Sequence, residues 1–131
     1  MNRLYDVAAE ALLDATLDLV GDALTVRMAD TIPFDPTQAN QSELTDWVLG
    51  AGPMGLTNCR ITNRALCADP VPFTYSGSGE PFSFVTALII YRELDGMLVA
   101  YIDTRPDLAP FSIEVASDLT FTWANDEVIV L

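Results

Sequence analysis

Side chains able to do chemistry are scarce in this sequence, and nearly all of them are carboxylates. Two pairs lie close enough along the chain to be weighed as general acid and base: Asp103 with Asp107, flanking a loop, and Asp126 with Glu127, in a turn. Such a pair works as a glycosidase does only when a cleft surrounds it and one carboxyl is held protonated. Nothing in the flanking residues predicts either condition, and Asp and Glu are ordinary turn formers. Calcium needs only loop oxygens, but no EF-hand-like spacing is present. The chain has no His and no Lys. Ser-His-Asp and Cys-His triads, the usual zinc sites, Schiff-base chemistry and the lysine of a phosphate-binding P-loop are therefore excluded. The expectation is a non-enzymatic protein with no catalytic residues, no metal and no cofactor.

The remaining candidates have plainer alternatives. Cys59 and Cys67, in "LTNCRITNRALCADP", are too far apart for a redox or zinc CxxC pair. A tight turn over 62–64 would set them opposite each other, where a disulfide is conceivable. Two buried free thiols are the favoured alternative in a protein made in a cytoplasm. The "SGSGEP" loop at 76–81 lacks the Lys and the strand-to-helix setting of a phosphate cradle and reads as a hairpin tip. Trp47, Tyr101 and Trp123 offer rings for stacking on sugars, but aromatics at strand spacing more often fill a core.

Charge narrows the partners. Nineteen acidic residues against six basic ones, all Arg, give a formal charge of −13. Nucleic acid needs a basic footprint and an anionic membrane repels this balance, so neither is an expected partner. The acidic surface serves solubility, or docking onto a basic partner. No apolar run is long enough to span a bilayer, and Asp6 and Glu10 interrupt the start where a signal peptide needs an apolar stretch. A protein made and kept, or assembled, in a cytoplasm is expected.

These residues sit on a pattern of short strands. Residues 2–15, "NRLYDVAAEALLDA", have helical spacing at Leu4, Val7, Ala8, Ala11 and Leu12. Acidic residues repeat every four positions from Asp6 to Asp22, so the helix is expected to stop near Ala15, before the repulsion accumulates. "ALTVRMAD" alternates as a half-buried strand with Thr25 and Arg27 outward. Residues 31–55 are a long Pro-rich segment in which Asn40 and Glu43 predict a capping box for one short helix carrying Leu44, Trp47 and Val48. Beyond Leu56 come successive strands. "FSFVTALIIYREL" is apolar on both faces and should be central. Asp95–Gly96 predicts a two-residue turn that sets Ile89 near Ile102. The final "VIVL" is expected to pair beside "LTFTW". The whole chain, 1–131, reads as one mainly β domain, an antiparallel β-sandwich or barrel-like fold with one short N-terminal helix.

The C-terminal stretch "ALIIYRELDGMLVAYIDTRPDLAPFSIEVASDLTFTWANDEVIVL" resembles a family of small virion structural proteins of tailed bacteriophages. Shared features are a buried strand ending in "IY", a hairpin, an "AYID"-like strand, a "LAP"-like turn, a "LTFTWAN"-like strand and a short apolar final strand. The opening "LYDVAAEALLDATLDLVGDALTVRMAD" is also similar: a short helix starting at Leu-Tyr, then a strand ending in Asp. The resemblance covers about two thirds of the chain; 31–81 lies outside it. It implies a capsid decoration, or cement, protein that sits on the capsid exterior, binds the major capsid protein and self-associates as a homo-oligomer. The alternatives are a minor neck or tail protein of the same virion and a small carbohydrate-binding β domain. The contact candidates are Leu4 and Tyr5 at the N-terminal helix, and Phe34 and Trp47 in the long loop, where aromatic anchors would give most of the binding energy.

Overall fold

The computed structural model describes residues 2–48, 50–75, 83–103, 113–115 and 118–131. The fold is mainly β, with antiparallel sheets in a sandwich-like arrangement and one α-helix near the N-terminus. Strand β1 (Arg3–Leu4) leads into α1 (Asp6–Leu13), followed by β2 (Leu24–Ala29), a 3-10 turn (Gln41–Glu43), β3 (Met54–Gly55), β4 (Arg60–Thr62), β5 (Ala65–Cys67) and β6 (Val71–Phe73). Then come β7 (Ser83–Val85), β8 (Ala87–Arg92), β9 (Leu98–Ile102), β10 (Ile113–Val115), β11 (Leu119–Phe121) and β12 (Glu127–Val130).

A five-stranded sheet in the order β1-β9-β8-β2-β3 organises the molecule. Its middle strand is β8, as the two-faced apolar pattern predicts. Leu88 and Ile90 enter one core, while Ala87, Ile89 and Tyr91 enter a second on the opposite face. The first core gathers Ala8 and Ala11 of α1 with Leu66, Val71, Phe73, Phe121, Trp123, Val128 and Ile129. The small ladders β12-β5-β4 and β11-β6 thus form a layer against the main sheet. The second core is closed by the long loop, which contributes Ile32 and Leu44, packs Phe34 against Tyr5 and Tyr101, and lays Trp47 against the same core. Each fully buried Leu or Ile on either face contributes roughly 1.5–3 kcal/mol.

Because that loop covers the second face, β2 is not half-exposed. Thr25 is buried and the Arg27 guanidinium stacks on the Trp47 ring at 4.7 Å. The helix also begins later than its spacing suggests. Tyr5 is extended (φ −74°, ψ 152°) and Arg3–Leu4 pairs with Tyr101 and Ala100 of β9. The helix ends at Leu13, close to the expected stop. The Asn40–Glu43 capping box is present, but it opens a single 3-10 turn, and Leu44 turns extended to fill the second core.

Three pairings differ from expectation. The β8–β9 connection is a four-residue turn over 93–96 with Gly96 at φ +76°, and a bulge follows between Ile90 and Tyr91, so Leu88 rather than Ile89 faces Ile102. The β4–β5 turn is the two-residue Asn63–Arg64, with φ of 52° and 63°, not 62–64. Strand β12 pairs with β5, and β11 with β6. The apolar final strand is therefore built into a ladder, but not beside "LTFTW".

Candidate interaction surface

Strand β1 sends Leu4 and Tyr5 to opposite faces of the main sheet: Leu4 packs against the first core, while Tyr5 is part of the second. Tyr5 has no exposed surface, so it is corrected from a partner contact to an internal anchor. Its ring meets Phe34 at 5.2 Å, and Phe34 meets Tyr101 at 5.3 Å, both tilted. The Arg3 guanidinium lies 4.2 Å over the Phe34 ring and reaches Asp103 at 3.1 Å. Tyr101 donates its hydroxyl to the Ile32 carbonyl at 2.5 Å, pinning the loop to the sheet. Burial raises the Tyr5 and Tyr101 phenol pKa values, so both stay neutral throughout the physiological range.

The structure thus joins Tyr5 and Phe34 directly, places Trp47 against the same core, and leaves Leu4 on the other side. Phe34 and Trp47 are half-buried: each presents part of its ring outward beneath a stacked Arg. Trp123 is buried and donates its indole N–H to the Asp69 carbonyl at 3.0 Å, and Tyr101 is buried too. Neither is available as a sugar platform.

The carboxylate pairs fare no better as chemistry. Asp103 is held by Arg3, and Asp107 lies outside the described residues. Asp126 is paired with Arg60 at 2.8 Å, and Glu127 opens β12. At Asp35, Glu43 and Asp95 the carboxyl pKa falls, the direction opposite to that of a general acid. Asp35 is lowered by hydrogen bonds from Thr37, Glu43 by the Asn40 and Ala39 N–H groups, and Asp95 by Arg92. Among the described residues no group of three or more His, Cys, Asp or Glu could hold a metal ion.

Cys59 and Cys67 are free thiols. The two-residue turn sets Arg60, not Cys59, across from Cys67. Cys59 precedes Arg60 by one position, and side chains alternate faces along an extended strand, so it points away from Cys67. Burial raises the Cys59 thiol pKa, which makes it a poor nucleophile. The Gly/Ser loop at 76–81 lies outside the described residues.

Sequence reasoning missed the most exposed apolar side chains. Leu13 ends α1, Leu94 tips the β8–β9 turn, and Val130 closes β12, each well over half exposed. The apolar run "VIVL" was the available signal for Val130, but periodicity alone does not say which of its residues faces out.

No family model, no curated protein and no solved structure matches the chain.

Proposed function

We propose that the chain is a non-enzymatic structural protein of a tailed-phage virion, a capsid decoration protein bound to the major capsid protein from outside. One observation carries this reading. The two stretches that resemble the phage family are far apart in sequence, yet they form one contiguous unit. Strand β1 pairs with β9, and β2 pairs with β8, so the N-terminal segment and the "IIYR"–"AYID" hairpin build four adjacent strands of the main sheet. The segment outside the resemblance supplies the loop that covers this unit's second face and offers the half-buried rings of Phe34 and Trp47. The net charge of −13 suits an exterior position, away from packaged DNA.

The test is cosedimentation of the purified protein with capsids that lack it, with bound copies counted by quantitative mass spectrometry. Saturation at hundreds of copies per particle is the expected result. A count of about a dozen or fewer would move the protein to the neck or tail, since such sites are few per particle. An absence of binding would remove the virion assignment. In the same assay Trp47→Ala should lower occupancy while the domain stays folded, because its ring stands at the surface of the second core. Full occupancy would clear Trp47 of a contact role.

A further inference from the structure

Three of the exposed large apolar side chains lie on neighbouring segments. Leu13, at the end of α1, is 90 % exposed; Val20, in the loop that follows, 52 %; and Leu94, in the β8–β9 turn, 87 %. Scattered singly they would be ordinary surface residues. They are not scattered, because one side chain gathers the segments that carry them. The Arg92 guanidinium donates to the Thr16 carbonyl at 2.8 Å and pairs with Asp22 at 3.4 Å and Asp95 at 2.8 Å. The Glu93 N–H adds a bond to the Ala23 carbonyl at 3.0 Å. Leu13 stands three residues before Thr16, Val20 two before Asp22, and Leu94 directly before Asp95. The segments thus meet at one end of the main sheet and raise an apolar patch there, the kind of surface that marks a docking site.

The charge around the patch says what covers it. Residues 10–22 and 92–95 hold six carboxylates and one cation, Arg92, which is committed to Asp22 and Asp95. The other four, Glu10, Asp14, Asp18 and Glu93, are exposed. The negative end of the α1 dipole adds to them, because its last turn carries no basic residue. A second copy meeting this end with the same end would bring the same carboxylates, and nucleic acid or an anionic lipid surface would bring phosphates. Each is repelled, and a cationic partner is drawn in. The patch is also separate from Trp47. Leu24 pairs with Arg92 at one end of β2, whereas Ala29 at the other end bridges Trp47, about 17 Å away along the strand.

We infer that this end of the molecule is a docking surface for a basic protein segment, a short apolar sequence flanked by Lys or Arg. Its apolar side chains cover Leu13, Val20 and Leu94, and its cations meet the surrounding carboxylates. Apolar burial supplies the affinity, while charge selects the partner and speeds the encounter. The inference does not rest on the virion reading.

Chemical-shift mapping with synthetic peptides tests this. The probes are an amphipathic Leu/Lys peptide, the same peptide with Glu for every Lys, and a third with Ser for every Leu. The Leu/Lys peptide should shift the amides of residues 12–22 and 92–96 saturably, with a dissociation constant that rises several-fold between about 20 mM and about 0.5 M NaCl. The Leu/Glu peptide should leave these amides unmoved, and the Ser/Lys peptide should bind at least about tenfold more weakly. The double variant Leu13→Ser, Leu94→Ser should lose a similar factor for the Leu/Lys peptide; both side chains already lie in water, so the fold does not depend on them. A Ser/Lys peptide that binds as tightly as the Leu/Lys one would reduce the site to general charge attraction and overturn the inference. So would shifts centred on Trp47 or spread over the whole chain, and so would shifts at these amides on concentrating the protein alone, which would make the occupant a second copy. No saturable binding at about 1 mM peptide is an equally negative result.

Discussion

The Arg92 guanidinium touches three segments at once. It donates to the Thr16 carbonyl at 2.8 Å, approaches Asp22 at 3.4 Å, and forks onto both oxygens of Asp95 at 3.1 and 2.8 Å. Its side chain is 14 % exposed, so these bonds form in partial shelter from water. They tie the loop after α1 to the tip of the β8–β9 hairpin, and Arg92→Ala should cost about 1–2 kcal/mol in urea unfolding. The pH dependence has a defined sign. The Arg92 hydrogen bond, with smaller help from the Met97 N–H, lowers the Asp95 pKa in the folded state. A carboxyl depressed on folding contributes stability above its unfolded pKa, about 3.9, and that stability is lost as pH falls through the folded value. Removing Arg92 should therefore flatten the acid limb of the stability profile while leaving its neutral plateau lower. An acid limb of unchanged steepness would show that other carboxylates set it.

At the scale of elements, turn chemistry decides register. Gly96 sits at φ +76°, and a Cβ there would meet Asn40 Oδ1 at 2.9 Å. Asn40 also donates to the Asp95 carbonyl at 2.8 Å, so the capped loop and the hairpin are locked together. Gly96→Ala combines a strained backbone with this clash and should destabilise by about 1–3 kcal/mol, read as a lower denaturant midpoint. The same position shows where sequence was legible. Asp95–Gly96 correctly marked a hairpin, but the dipeptide does not encode whether two or four residues form the turn; the longer turn sets Tyr91 opposite Leu98, two positions from the two-residue register, and the bulge after it returns one of them. The two-faced apolar pattern of β8 and the Asn40–Glu43 capping box were legible because both are local. The partner of β12 was not, since Val128 and Ile129 suit any buried ladder. Nor was the burial of Tyr5, because an N-terminal Leu-Tyr fits helix spacing as well as an edge strand. Covering of the second face by the Pro-rich segment was equally hidden; no periodicity marks Ile32, Phe34 and Leu44 as core.

At the scale of the whole molecule, charge and topology act together. With a net charge of −13 the folded chain repels itself more than the unfolded one, in which the charges are further apart. Raising salt from about 10 mM to about 0.5 M should therefore raise the melting temperature by a few degrees, as screening shortens from about 30 Å to a few Å. A fall would mean that the Arg–Asp pairs outweigh the excess acidity. The main sheet has a further property. Its first strand in chain order, β1, pairs with its last, β9, through Arg3–Tyr101 and Leu4–Ala100, and β2 waits for β8 from Leu24 to Arg92. On the ribosome, then, the N-terminal strand and β2 emerge long before the partners that shelter them. The domain completes its central sheet only when most of its chain has been translated, and until then Val26 and Met28 remain open to whatever chaperone meets the nascent chain.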